Sequence, residues 1–167
     1  MDNSPTHHDQ TARAELVDAR SQVLDAFSEL EQTIARLLKR SEQKPHGPHF
    51  GARVEAFRKI EGIPEIAKAN YPKRDRLADK ICDLLPVRAD IVHSCMKVYR
   101  IDAISTAHFI NSQNANQSYP DGRLLTLDQL DEIAKAARLI VCEIAQLGRV
   151  IPPSSPHPPS PGATGDP

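Results

Sequence analysis

Apolar residues recur every seven positions in the first third of the chain, which predicts one long amphipathic helix over residues 11–40. The repeat consists of Leu16, Val23, Leu30 and Leu37, with Phe27 and Ile34 at positions between them. A helix with such a stripe has to bury it against other elements of the fold. The segment SEQKPHGPHFG then interrupts the pattern with two prolines and two glycines, which predicts a loop.

Two further helices are predicted in the middle of the chain. Val54, Phe57 and Ile60 have helical spacing and indicate a short helix that ends near the glycine of EGIP. A second long helix is predicted over residues 73–99, and its apolar seam consists of Leu77, Ile81, Leu84, Ile91, Cys95 and Val98. Pro86 removes a backbone donor from this helix, so a kink or a break is expected there.

The pattern changes after Tyr99. The stretch ISTAHFINSQNANQSYPDGRLLTL mixes β-branched and polar residues with a PDG turn signal, and it predicts an extended excursion or an irregular hairpin. Thr126 and Gln129 then form a capping box, which predicts the start of a final helix that Gly148 ends. The apolar seam of this helix consists of Leu130, Ile133, Ala137, Ile140, Ile144 and Leu147.

These elements predict an all-α fold. We expect an up-and-down bundle of three long helices and one or two short ones, with the excursion placed before the last helix. The low aromatic content, 4%, favours helix packing by aliphatic residues over a β-sandwich. Residues 11–150 are expected to form this domain, after a polar and flexible N-terminus at residues 1–10. Residues 151–167 contain seven prolines and predict a disordered tail.

Charge is distributed unevenly along the chain. The formal net charge of the whole sequence is -1, which gives no general argument for nucleic-acid binding. Residues 53–100, however, hold eleven Lys and Arg against seven Asp and Glu, and both flanks are net negative. Most of these charges are expected to lie on solvated helix faces. The middle third is nevertheless the part of the chain best suited to an anionic partner.

The cysteines and the ends of the chain indicate a reducing compartment. Cys82, Cys95 and Cys142 lie within apolar helical patterns without C-x-x-C spacing, so we expect buried, reduced thiols and no zinc site. The sequence MDNSPTHHDQ has neither a basic nor an apolar signal region, and there is no long uncharged apolar run. We therefore predict a cytoplasmic protein that does not enter membranes.

One arginine and one histidine stand out as candidate site residues. The sequence has no phosphate-binding glycine loop, no nucleophile elbow and no inward-facing Glu-x-x-His pair, so neither a cofactor nor a metal is expected. In the stretch LPVRADIVHS, Arg88 occupies a position of the apolar seam, where a charge is costly unless a partner meets it. His93 follows five residues later. Chance alone would produce such a spacing in many chains, so the position of Arg88 is the informative feature.

These residues carry a resemblance to a known family. VRADIVHS within a bundle helix, a polar excursion and then LTLDQLDEIAKAARLIVCEIAQL as a capped last helix resemble the HEPN superfamily of all-α domains. The motif of that superfamily is an arginine, four to six residues and a histidine, here RADIVH. The resemblance is best over residues 73–148. One position differs, because active members commonly carry a polar residue, often Asn, where this chain has Ala89.

The resemblance implies a metal-independent endoribonuclease that belongs to a homodimer. In active members the arginine and histidine act in RNA cleavage, usually in a site that a second protomer completes. His93 would then move protons and Arg88 would hold phosphoryl oxygens, with Asp90 and Ser94 as supporting residues. Lys97, Arg100 and His108 are candidate contacts to RNA phosphates.

Another class of function stays open at this point. Other members of the superfamily are non-catalytic binding modules or occur in toxin–antitoxin and defence systems, so an antitoxin or another protein partner is a further expectation. A dimerisation module of this kind would use the stripe from Leu16 to Leu38 or the terminal helix. Arg88 would then simply pair with an acid such as Asp131 or Glu132, and His93 would be an ordinary helix residue.

Overall fold

Four helices and one small sheet make up the part of the chain that the computed structural model describes, residues 7–110 and 122–149. The helices are α1 (His7–Ser41), α2 (Phe50–Arg58), α3 (Tyr71–His93) and α4 (Leu127–Ala145). The strands are β1 (Cys95–Ile101), β2 (Ile104–Ile110) and β3 (Arg123–Thr126), and one 3-10 turn, Lys68–Asn70, precedes α3. Pro120 and Asp121 of the predicted turn and the Pro-rich segment lie outside the described residues. Helix α1 begins within the segment predicted to be a flexible N-terminus.

The core forms where α1 packs along α4, with α2 and α3 against its other sides. The heptad stripe of α1 is buried as predicted, as is nearly all of the predicted seam of α4. The capping box is also confirmed: the hydroxyl of Thr126 accepts a hydrogen bond from the backbone of Gln129, whose side chain accepts one from the backbone of Thr126. Because the apolar stripe of α1 is already buried against the other helices, it does not provide a dimer surface.

The prediction of an all-α fold is wrong in one respect, because the second long helix ends at His93 and a three-stranded antiparallel sheet follows. Residues 95–99, predicted as the end of that helix, belong to β1. A short apolar segment fits both the helical and the strand period, and Val98, Tyr99 and Ile101 favour a strand. Helix α3 itself runs through Pro86 without a break.

A two-residue turn joins β1 to β2 and sets their register. Asp102 and Ala103 both have positive φ, 49° and 66°, as a tight hairpin turn of type I′ requires. The strands then pair antiparallel from Ile101 opposite Ile104 to Cys95 opposite Ile110. The turn lacks the Asn-Gly or Asp-Gly that usually indicates a hairpin, which explains why the sequence predicted an extended excursion or an irregular hairpin and not a regular one that begins at Cys95.

The register gives the sheet one buried and one exposed face. The inner face carries Ala107, Phe109 and Leu125, which are buried against the helices. The outer face carries five of the seven large hydrophobic residues that are exposed in the described part of the chain: Tyr99, Ile101, Ile104, Ile110 and Leu124. Strand order is β1-β2-β3, so β1 is an edge strand.

The prediction of three buried cysteines is also wrong. Cys82 is half-buried, and Cys95 and Cys142 are exposed. Cys95 lies on the outer face of the sheet because α3 ends before it, and Cys142 lies on the solvent side of α4. All three are free thiols.

Candidate functional site

The last two turns of α3 carry both residues of the predicted motif, but they direct the two side chains to different surroundings. Five helical residues separate Arg88 from His93, which corresponds to about 7.5 Å along the axis and about 140° around it. Arg88 is half-buried and His93 is exposed at the last position of the helix. Within the described residues no hydrogen bond or ion pair joins them. The fold therefore places them near each other without bringing them into contact.

Arg88 lies in a cluster of charges between α1, α2 and α3. Its Nη2 donates a short hydrogen bond to Oε1 of Glu31, and its guanidinium carbon lies 5.3 Å from the ring centre of Phe50. The other carboxylate oxygen of Glu31 is 3.9 Å from Nη1 of Arg53. We call Glu31, Arg53 and Arg88 the arginine cluster. It contains two guanidinium groups and one carboxylate, so its formal charge is +1.

The acidic partner of Arg88 differs from the acids that the sequence suggested. Asp131 and Glu132 of α4 were the expected partners, whereas Glu31 of α1 fills this role. Sequence spacing could have indicated it, because Glu31 lies four residues after Phe27 and three before Ile34, on the buried stripe of α1. One donor of Arg88 is not satisfied: its Nε is buried and has no hydrogen-bond acceptor within the described residues.

Asp90, expected as a support for His93, is used elsewhere. Its carboxylate accepts a hydrogen bond from Nε of Arg123 at 2.7 Å, and its side chain is 9% exposed. This pair ties α3 to the inner face of β3. The acid therefore stabilises the packing of the sheet, and its contact with Arg123 does not orient the imidazole of His93.

The corner at which α3 passes into β1 is fixed by α1. Nη2 of Arg20 donates hydrogen bonds to the carbonyl oxygens of Ile91 and Ser94, both at 3.2 Å. Such carbonyls at a helix end have no partner within the helix. Ser94 is buried, and its hydroxyl has no hydrogen-bond partner within the described residues. Arg20 thus holds the turn that exposes His93, a role that the sequence analysis missed although Arg20 lies four residues after Leu16 on the stripe.

The three basic residues predicted to contact RNA lie on the hairpin, but they do not share one face. Lys97 is exposed and His108, half-buried, is its partner in the register, so both belong to the outer face. The ring of His108 lies 5.7 Å from that of Tyr99. Arg100 is exposed and pairs with Ser105, so it belongs to the inner face at the edge of the sheet. Because β1 is an edge strand, Lys97 and Arg100 lie along the same edge of the sheet although they belong to opposite faces.

Neither the described residues nor known proteins point to a membrane span, a metal site or a family for this chain. Among the described helices, none is long and apolar enough to cross a bilayer. Within the described residues, no group of three His, Cys, Asp or Glu side chains is placed to hold a metal ion. The chain matches no family model, no curated protein and no solved structure.

Proposed function

We propose that the chain is a HEPN-like domain that cleaves RNA without a metal ion, with His93 in the proton-transfer role. The observation that carries the proposal is the exposure of His93 at a helix end whose turn Arg20 fixes through two carbonyl oxygens. An imidazole that is accessible and held on a rigid corner can meet a substrate. Imidazole also accepts and donates protons near neutral pH.

The proposed reaction uses the ribose of the substrate as the nucleophile. A base removes the proton of the 2′-hydroxyl, whose oxygen attacks the adjacent phosphorus, and an acid protonates the 5′-oxygen that leaves. The products are a 2′,3′-cyclic phosphate and a 5′-hydroxyl end. One histidine from each of two protomers would supply the base and the acid, which is why a homodimer belongs to this proposal.

Arg88 would stabilise the charge that develops on the phosphoryl oxygens. The arginine cluster supports this role through its formal charge of +1. Glu31 would keep the guanidinium in position. A second copy of the chain is needed for this arrangement, because α3 alone does not bring Arg88 and His93 together.

The second copy would bind through the outer face of the sheet. Five large apolar side chains are exposed there, from Ile110 with 38% to Ile104 with 56% exposure. Isolated exposed apolar residues are ordinary, but a cluster on one flat face is typical of an interface. The five side chains are uncharged, and a two-fold axis would bring each patch against an identical one.

A second function, a non-catalytic binding module, is favoured by a different observation. Arg88 and Asp90 are both engaged in ion pairs within the fold, with Glu31 and Arg123. Ala89 cannot offer a polar group to the imidazole of His93. In this alternative the ion pairs only stabilise the domain, and the apolar outer face binds another protein, such as an antitoxin.

Cleavage of a labelled RNA by the wild type, His93→Ala and Arg88→Ala separates the two functions. The enzyme proposal expects activity in the wild type and a large loss in both variants, with unchanged melting temperatures in the His93→Ala protein. Arg88→Lys provides a check on folding, since it keeps a charge opposite Glu31. No cleavage by any protein would leave the binding module as the function.

A further inference from the structure

A groove of about 400 Å³ runs along the edge strand of the sheet. Helix α1 contributes Gln10 and Arg13 to its lining, β2 contributes Ser105, and β1 contributes residues 96–100. We call it the edge groove. It lies outside the arginine cluster, on the side of the molecule where the first turns of α1 pass the sheet.

Three positively charged side chains line the edge groove. Arg13, Lys97 and Arg100 line it, and none of the described residues in the lining is acidic. All three are exposed. The whole chain has a formal net charge of -1, so three cations around one groove are a local feature and not a reflection of composition. Such a concentration of one sign attracts an anionic ligand.

The remaining groups in the lining suit a sugar-phosphate chain. Gln10 and Ser105 offer polar side chains, and the half-buried Met96 and Val98 offer apolar surface. Arginine binds phosphate oxygens through two parallel donors, and Ser and Gln side chains bond phosphate and sugar groups. The lining strand residues span only about 13 Å. Domains that recognise double-stranded RNA cover about 16 base pairs, much more than this length, so a single strand is the occupant that we choose to test.

The edge groove begins a short distance along the chain from the proposed catalytic histidine. Met96 follows His93 by three residues, about 10 Å of extended chain. Arg13 lies seven residues before Arg20, on the same side of α1, and Arg20 holds the corner that exposes His93. One helix therefore supplies both the wall of the groove and the anchor of the corner.

We propose that the edge groove binds the backbone of single-stranded RNA and guides it toward His93, with Arg13 and Arg100 as the principal phosphate ligands. This inference rests on the proposed function, because it identifies where that substrate lies on the protein. It gives a phosphate-binding role to Arg13, which the sequence did not indicate. It also gives different roles to Arg100, which lines the groove, and His108, which belongs to the outer face of the sheet.

The test measures binding in a protein that does not cut its ligand. A fluorescein-labelled 12-nucleotide oligouridylate is titrated with His93→Ala protein, and fluorescence anisotropy is recorded at several salt concentrations. Arg13→Gln and Arg100→Gln are added to this background, singly and together. Lys135→Gln with Arg138→Gln, which removes two exposed charges from α4, is the matched control. Circular dichroism confirms equal folding of all variants.

Each arginine substitution is expected to weaken binding on the order of tenfold, since charge-assisted hydrogen bonds are lost. The slope of log K against log salt should become shallower by about 0.7 for each phosphate contact removed. The α4 control should bind within about twofold of the His93→Ala parent. Unchanged binding by the double arginine variant, or an equal loss in the control, would overturn the inference. So would tighter binding of an RNA duplex than of the single strand.

The binding experiment and the cleavage assay can fail independently of each other. If the wild type cuts no RNA but binds it through Arg13 and Arg100, the catalytic proposal fails and the edge groove stands. If the wild type cuts RNA while the arginine variants bind normally, the groove is excluded and the catalytic proposal stands.

Discussion

Arg88 of α3 donates a hydrogen bond from Nη2 to Glu31 of α1, and both side chains are largely withdrawn from water, with 20% and 24% of their surfaces exposed. This pair joins the helix that carries the predicted motif to the longest helix of the fold. It gives the seam arginine the acidic partner that its position requires. The same pair also limits how much of the Arg88 side chain is exposed.

Removal of one member of this pair should destabilise the domain. Glu31→Gln leaves two arginines without their carboxylate, and we expect the free energy of unfolding to fall by about 1 to 3 kcal/mol. The double variant Glu31→Leu with Arg88→Met should lose less than the sum of the single changes, because no buried charge stays unpaired. Urea denaturation measures the double variant beside its two single changes, Glu31→Leu and Arg88→Met. Strict additivity of the single effects would show that the two side chains do not interact.

Ala89 offers a gain-of-function experiment. It lies four residues before His93, so Asn at this position could hydrogen-bond the imidazole and hold it in one orientation. If the domain cleaves RNA, Ala89→Asn should raise kcat on the order of tenfold with little change in KM. Ala89→Leu is the control that fills the same space without a polar group. Equal rates for the wild type and Ala89→Asn would show that this position has no part in orienting His93.

The hairpin turn contains a residue that is not suited to its backbone conformation. Ala103 has φ of 66°, and this region costs a non-glycine residue roughly 1 to 2 kcal/mol. Ala103→Gly should therefore raise the stability by about 1 kcal/mol, despite the greater freedom of glycine in the unfolded chain. The same substitution at Ala35, within α1, should instead lower the stability by about 1 kcal/mol. A loss of stability in Ala103→Gly would contradict the turn conformation described above.

The apolar outer face of the sheet predicts self-association. Ile104→Lys places a charge at the most exposed position of the apolar cluster, so it should weaken a homodimer at least about tenfold. Leu139→Lys is the matched control, because Leu139 is 62% exposed on α4 and lies apart from this cluster. Sedimentation equilibrium over a range of protein concentrations measures both. A wild type that stays monomeric at high concentration would rule out the proposed interface.

The sequence predicted the helices far better than the sheet, for a physical reason. The stripe of α1 and the capping box at Thr126 are strong local signals, and both are confirmed. In the segment that follows His93, the apolar spacing fits a helix and a strand equally well. This segment forms a strand because it pairs with β2, and local apolar spacing does not encode that contact.

The candidate site was predicted only in part. Arg88 was expected to need an acidic partner, and the structure supplies one, but the identity of Glu31 depends on how α1 crosses α3. Arg20 was missed because its role is to bind backbone carbonyl oxygens, which no side-chain pattern reveals. Asp90 was expected near His93, and the carboxylate instead reaches Arg123 of a strand whose position the sequence did not indicate.

The most direct measurement of the central claim follows RNA cleavage in the presence of EDTA and identifies the ends of the products. The wild type should cut RNA under these conditions and leave 2′,3′-cyclic phosphate and 5′-hydroxyl ends, while His93→Ala at equal stability should lose at least about 100-fold in rate. Cleavage that stops with EDTA, or equal cleavage by the wild type and His93→Ala, would contradict the account.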